Sequence, residues 1–224
     1  MPAIGFTINL RPQAASDNLL VAFKDFAVAN ISDAMSRTTG TYNLRPYHGG
    51  AKLCGRALTV RTRPGDNLMV HKAIDLAGPG DVIVVDAGGV CTNAIVGEIM
   101  TTLAARRGAA GIIIDGAIRD TDTIGRGDFP VFARGVAHRG PYKDGPGEIN
   151  ATVAIDGMVV NPGDIIVGDA DGLIAIALSI AGDVAALVRK IQLSESALLA
   201  EIAAGTVDRS WVDLALKNKG VLST

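Results

Sequence analysis

Between Gly97 and Asp120 the chain places two carboxylates and an arginine where they could act together on one small anion. Gly97, Glu98, Ile99 and Met100 open a helix-like run reaching Gly108. An apolar stretch from Gly111 to Asp115 then leads through Gly116 to the adjacent pair Arg119 and Asp120. The planar Arg119 fork can grip a carboxylate with two parallel donors, and an Asp120 oxygen can ligate a hard cation such as Mg²⁺ or Mn²⁺. If a helix starts close to Gly97, the backbone N–H groups of Ile99 and Met100 have no intrahelical partner and can bind a substrate carboxylate at the Gly97 turn. Glu98 beside them could orient or deprotonate a water on the metal. The set suits a divalent metal and a small anionic 2-oxo acid.

Each group also has a plainer reading. Adjacent opposite charges in a loop are ordinarily solvated and contribute little, and an acidic residue in a first helical turn is good dipole chemistry by itself. Position is what favours the functional reading, because Arg119 and Asp120 follow a Gly-rich turn after an apolar strand. Asp86 and Asp115 end strands before Gly, a turn signature rather than a catalytic one. His48, His71 and His138 lack zinc-ligand spacing and read as surface or supporting residues. Cys91 lies near a helix start, which could lower its thiol pKa, but no His neighbours it in sequence, and it reads as a small buried thiol. The turn Asp86-Ala87-Gly88-Gly89-Val90 lacks both G-x-G-x-x-G and G-K-[ST], so nucleotide chemistry has little support.

The elements that must position these groups follow from periodicity. Leu19, Leu20, Phe23, Phe26 and Ala27 recur with helical spacing after Ser16 or Asp17 as cap. A second short helix is predicted to begin at Ser32, and residues 56–63 read as a strand stopped at Pro64 and Gly65. The middle reads as a strand over 81–86, a Gly88-Gly89 turn, a helix from about 92 to 107 and a strand over 111–115. Such a βαβ unit has parallel strands buried on both faces. Its helix start and the loop after its second strand both emerge at the carboxyl edge of the sheet, where ligands bind in open α/β folds, so Glu98 can meet Arg119 and Asp120. Beyond 130–134 the chain turns β-rich, with strands over 152–155, 158–160, 164–169 and 172–177. The tail from 180 to 205 is amphipathic through Val184, Leu187, Val188, Ile191, Leu198 and Ile202, a face that must pack on its own domain or on a neighbouring subunit.

The 224 residues fit one domain, 1–224, with 180–224 as a helical tail. Hydrophobic residues make up 48% but aromatic ones only 4%, so the core is expected from Ala, Val, Ile and Leu. A formal charge of −2 gives no broad basic field, which argues against nucleic-acid binding. No apolar run approaches the roughly 20 residues of a membrane helix. The N-terminus lacks the pattern of a secretory signal, and Cys54 and Cys91 form no spaced motif; a cytoplasmic protein is expected.

In these residues the chain resembles the proteins similar to regulator of ribonuclease activity A, a family that includes the 4-hydroxy-4-methyl-2-oxoglutarate aldolases. The resemblance runs from Ile31-Ser32-Asp33-Ala34 through Pro79-Gly80-Asp81, Gly97-Glu98, Asp115-Gly116-Ala117-Ile118-Arg119-Asp120, Phe132-Ala133-Arg134-Gly135 and Pro162-Gly163-Asp164 to Asp171-Gly172. It implies an α/β fold of the swivelling β/β/α, phosphohistidine-domain-like kind, with N-terminal helices and a C-terminal helical tail, assembled as a homotrimer or homohexamer with the site near a subunit boundary. It further implies a divalent-metal-dependent (class II) lyase acting on short 2-oxo acids through a pyruvate enolate, by aldol cleavage, oxaloacetate decarboxylation or both. Asp120 would be the metal ligand, and Arg119 would hold substrate and stabilise enolate charge. Gly97, Ile99 and Met100 would bind the pyruvate carboxylate, and Glu98 would steer a metal-bound water. Active members carry an acidic residue three positions after the motif aspartate, where this chain has Thr123. The alternative is a non-catalytic, protein-binding regulator of ribonuclease activity.

Overall fold

The computed structural model describes residues 4–11 and 15–221. Residues 1–3, part of the N-terminus inspected for a signal, and residues 222–224 at the end of the tail lie outside the described residues. In chain order the elements are β1 (Phe6–Ile8), α1 (Asp17–Lys24), α2 (Val28–Ala34), β2 (Arg45–Pro46), β3 (Leu53–Thr62), α3 (Leu68–Leu76), β4 (Asp81–Asp86), β5 (Ala94–Val96), α4 (Glu98–Arg106), β6 (Gly111–Ile118) and α5 (Thr121–Ile124). Then follow β7 (Val131–Val136), β8 (Gly147–Ile149), β9 (Val153–Ile155), β10 (Met158–Val160), β11 (Ile165–Asp169), β12 (Gly172–Ile176), α6 (Ala181–Ala204) and α7 (Ser210–Asn218).

Near-continuous Val and Ile runs build the centre of the main sheet, where β3, β4, β6 and β7 lie parallel in that order. Such runs fit strands buried on both faces, and all eight residues of β6 are buried. Alternation along the strands then separates two cores. Ile83, Val85, Ile112 and Ile114 pack with Val70 and Ile74 of α3 and Met100 and Ala104 of α4. Val82, Val84, Ile113 and Phe132 pack instead with Val153, Ile155, Met158 and Val160, the antiparallel β9–β10 hairpin that forms a separate small sheet. Hairpin, main sheet and helices are thus three layers, in keeping with the β/β/α expectation. A third core sets α1, α2 and the first half of α6 against β11 and β12.

The predicted βαβ unit is present, with β4 and β6 in register from Val82 opposite Gly111 to Asp86 opposite Asp115. Three expectations need correction. The second helix starts at Val28, not Ser32, because the side chain of Asp169, at the end of β11, accepts the Val28 N–H at 2.9 Å and supplies a cap from 141 residues away. The helix expected from about 92 starts only at Glu98, because Ala94–Val96 pairs as a short parallel strand with the end of β6. The amphipathic tail divides: Val184 and Val188 are buried, whereas Leu198 and Ile202 are about half exposed. The helix α3 and the short strands β1, β2 and β8 have no counterpart in the sequence reading. Among the described residues no helix is long and apolar enough to cross a membrane.

Candidate functional site

Gly97 is the joint on which the site is built. It enters α4 in an extended conformation, φ −146° and ψ −165°, with no side-chain cap. Its missing side chain is required by contact, not by φ: a Cβ there would lie 2.9 Å from Arg119 Cγ, 3.1 Å from Arg119 Nε, and closer still to an Asp120 oxygen. The loop after β6 therefore lies directly on the start of α4. Asp120 occupies the left-handed region, φ 58° and ψ 35°, a conformation that costs a non-glycine residue on the order of 1 kcal/mol or more and is concentrated at functional sites. In that pose its Oδ2 accepts the Glu98 N–H at 3.0 Å, and Arg119 Nε lies 3.7 Å from the same oxygen. Asp120 supplies the acceptor at the helix start that Gly97 cannot.

This geometry sorts the amides expected to bind an anion. Glu98 donates to Asp120, and Met100 donates to the Gly97 carbonyl at 3.1 Å. Among the described residues the Ile99 N–H has no acceptor, so Ile99 is the amide at the helix start free for a ligand. Met100 lines the cavity beside it.

That cavity, of about 120 Å³, is lined by Gly97, Ile99, Arg119 and Asp120 together with Asn67, His71 and Lys143. It is small against the roughly 300–1,000 Å³ of pockets for drug-sized ligands, which suits a compact acid. Two cations, Arg119 and Lys143, face one carboxylate, Asp120, so the lining favours an anion. Burial first, then the charge of Lys143, pushes the His71 imidazole below its ordinary value, with Asp75 opposing. Asn67, only 2% exposed, donates through Nδ2 to the Ile95 carbonyl at 2.8 Å and to the Met100 sulfur at 3.1 Å. Its Oδ1 has no partner among the described residues. A buried acceptor left unpaired costs about 1–3 kcal/mol, so a donor from water or ligand belongs at this wall. On the other flank of α4, Glu98 and Thr123 line a groove of about 320 Å³ that runs between α4 and α5.

Thus Gly97, Ile99, Met100, Arg119 and Asp120 come together at the cavity, as the βαβ geometry required, and Glu98 joins them through its N–H while its side chain lies in the adjoining groove. Asn67, His71 and Lys143 were missed. His71 was read as a surface or supporting residue, yet it lines the cavity, and its only sequence signal was its place four residues after Asn67 in a helix that went unrecognised. The plainer readings hold elsewhere. His48 accepts the Val131 N–H on Nδ1 and reaches the Ala51 carbonyl through Nε2. Asp86 accepts the Gly88 N–H. Asp115 departs from its expected place at a strand end, because β6 continues to Ile118 and the buried side chain binds Arg134 at 2.6 Å. Burial raises the Cys91 pKa despite Arg134, which leaves it a poor nucleophile.

The family sequence pattern for Aldolase/RraA, of the RraA-like kind, matches residues 28–175, the span that holds every element of this cavity. This chain belongs to the Aldolase/RraA family. Within it, a Halalkalibacterium halodurans protein named as a candidate 4-hydroxy-4-methyl-2-oxoglutarate aldolase is 41% identical over 163 residues, 72% of this chain and 78% of that one. Among solved structures, an uncharacterized protein from Pseudomonas syringae pv. tomato superposes with a TM-score of 0.79 at 26% identity, covering 88% of this chain and 97% of the other. The RNA-processing inhibitor RraA from Thermus superposes with a TM-score of 0.62 at 28% identity over 67% of this chain and 92% of its own. The Aldolase/RraA fold therefore accounts for the β/β/α layers, while α6 and α7 lie beyond the matched span.

Proposed function

We propose that this chain is a divalent-metal-dependent lyase that cleaves or decarboxylates short 2-oxo acids through a pyruvate enolate. The observation that carries the reading is the convergence of Arg119, Asp120 and the free Ile99 amide on a small cavity that His71 and Lys143 also line. The aldolase name borne by the Halalkalibacterium relative supports it.

The residues suit a hard cation. Asp120 uses one oxygen on the Glu98 amide, leaves Oδ1 without a partner among the described residues, and is 40% exposed. No group of three His, Cys, Asp or Glu converges among the described residues, so the donor set is one carboxylate completed by water and substrate, the pattern Mg²⁺ prefers. When bound, Mg²⁺ or Mn²⁺ supplies Lewis-acid polarisation of the keto and carboxylate oxygens. The chain does the rest. Arg119 and the Ile99 N–H grip the C1 carboxylate, and the Arg119 charge stabilises the enolate oxygen as the C3–C4 bond breaks. Lys143 and His71 orient the far carboxylate of a dicarboxylic substrate. Aldol cleavage must also remove a hydroxyl proton; the resemblance gives that task to Glu98, whose exposed side chain lines the neighbouring groove and not the cavity, so it would act through an intervening water, whereas decarboxylation releases CO₂ and needs no such base.

Pyruvate release from oxaloacetate and from 4-hydroxy-4-methyl-2-oxoglutarate, with Mg²⁺ and with excess chelator, tests this. Metal-dependent release is expected, and no release from either acid would overturn the reading. Two observations favour a second reading, a protein-binding regulator of ribonuclease activity: Thr123 in place of an acid, and the likeness to the Thermus RNA-processing inhibitor. Inhibition of a ribonuclease by a chain inactive on both acids would establish it. The exposed apolar residues of α6 and α7, including Leu193, Leu199, Trp211 and Leu214, support self-association as a trimer or hexamer.

A further inference from the structure

Asp66 does not line the cavity, yet two of its walls meet on this one carboxylate. Its side chain is completely buried. Oδ1 accepts the N–H of Leu68, the first residue of α3, at 2.9 Å. Oδ2 accepts the N–H groups of Asp144 at 2.8 Å and Gly145 at 2.9 Å, and Arg63 lies 3.2 Å from it. The neighbouring backbone is tied to the same loop: the Asn67 N–H donates to the Tyr142 carbonyl at 3.0 Å and the Tyr142 N–H to the Gly65 carbonyl at 2.8 Å. One wall, α3 with its N-terminal Asn67, carries His71. The other, the 139–146 loop, carries Lys143, which directly precedes Asp144.

What holds that loop matters, because packing does not. Tyr142, Lys143 and Asp144 are exposed and Pro141 is only partly buried, so hydrogen bonds fix its course. Asn93 holds one end through the Gly140 carbonyl at 2.6 Å, and Asp66 holds the other. Burial pushes the Asp66 carboxyl up, but the three amides and Arg63 outweigh it and hold it below its ordinary value, so it remains an acceptor-only group at neutral pH.

We propose that Asp66 is a positioning residue that sets Lys143 beside His71 and thereby determines affinity for the far carboxylate of a dicarboxylic 2-oxo acid. The inference rests on the cavity reading above. An asparagine is isosteric with Asp66 but must turn an NH₂ toward some of the N–H donors that the carboxylate accepts, so it loosens the loop without changing volume.

The experiment measures steady-state oxaloacetate decarboxylation and the exchange of pyruvate methyl protons in D₂O, both with saturating Mg²⁺. Pyruvate has no far carboxylate and serves as the internal control. Asp66→Asn is expected to raise the oxaloacetate KM about tenfold and to leave the pyruvate KM unchanged. Lys143→Ala should show the same split, and the double variant should be no worse than Lys143→Ala alone, because residues acting through one contact are not additive. Equal effects on both substrates, or an additive double variant, would overturn the proposal in favour of a purely structural role. If Asp66→Asn does not fold, Arg63→Met at the surface replaces it. A two- to threefold rise in oxaloacetate KM that disappears in the Lys143→Ala background supports the proposal, and an unchanged KM overturns it. A wild-type protein inactive in both assays would remove the cavity reading and this inference together, a result separable from active wild type with additive variants.

Discussion

Asp120 has two tasks at one carboxylate. One oxygen closes the start of α4, the other has no partner among the described residues and is the one proposed to hold a cation, and the left-handed backbone behind this pose is strained. Arg119 has a geometric task too, since its guanidinium lies against Gly140, whose hypothetical Cβ would be 3.3 Å from it. Arg119→Lys keeps the charge but cannot reproduce a planar two-donor grip. We expect kcat/KM for oxaloacetate to fall at least about tenfold, which is about 1.4 kcal/mol of transition-state stabilisation; steady-state kinetics that match wild type would reduce Arg119 to a surface charge. Thr123 shares the groove with Glu98. If a second carboxylate there is what this chain lacks for proton removal, Thr123→Glu should raise aldol cleavage by about tenfold and decarboxylation far less. The two reactions measured side by side decide it, and equal or falling rates in both would remove the missing-carboxylate explanation.

Among the elements, the decisive contact is the loop after β6 lying on the N-terminus of α4. Val96 and Ile118 pair at the strand ends, the Arg119 N–H donates to the Val96 carbonyl at 3.0 Å, and Gly97 leaves the space that Arg119 and Asp120 fill. Gly97→Ala has no backbone strain to overcome, because its φ of −146° is open to any residue, but the added methyl must displace both site residues. Overpacking of this kind costs typically 1–3 kcal/mol. The expected result is a lower midpoint of thermal unfolding together with loss of Mg²⁺ binding by calorimetry. Wild-type metal affinity in Gly97→Ala would mean that Asp120 need not occupy this pose.

Across the whole molecule, the small hairpin layer is tied to the main sheet by an ionic cluster. Arg134 of β7 bonds Asp115 of β6 at 2.6 Å and Asp156 of the β9–β10 turn at 2.9 Å. Asp115 also accepts the Asp156 N–H at 2.9 Å. Burial pushes the Asp156 carboxyl up, but the Asn43 side chain, the amides of Asn43 and Tyr42, and Arg134 hold it down at about 2. A folded-state pKa below the unfolded value adds stability above pH 4, and that stability is lost as pH falls toward 2. Denaturant titrations should show about 2 kcal/mol disappearing across that window. Asp156→Asn should be less stable at pH 7 and show a shallower acid decline; an unchanged acid limb would assign the loss to other carboxylates. The half-exposed apolar face of α6 makes its own prediction. Light scattering at micromolar concentration should report a trimer or hexamer, and Leu198→Lys with Ile202→Lys should reduce it. A wild-type monomer would contradict that assembly.

Whatever depends on neighbours along the chain is written in the order of its residues. Val and Ile runs bounded by Gly and Asp specify β4 and β6, a helix between them makes their pairing parallel, and that geometry brings Glu98 to Arg119 and Asp120. Ser16 as the cap of α1 and Gly205 at the end of α6 were legible for the same reason. Tertiary structure decided whatever rests on a partner distant in sequence. Asp169 starts α2 at Val28, and the edge of β6 turns Ala94–Val96 into a strand and so delays α4 to Glu98. Asp66 joins the 139–146 loop, which carries Lys143, to the start of α3, which carries Asn67 and His71. Periodicity records which face of an element is apolar, but a hydrogen bond between residues 78 positions apart leaves no local pattern. Gly97, Ile99, Met100, Arg119 and Asp120 were therefore readable from the chain, and Asn67, His71 and Lys143 emerged only once it was folded.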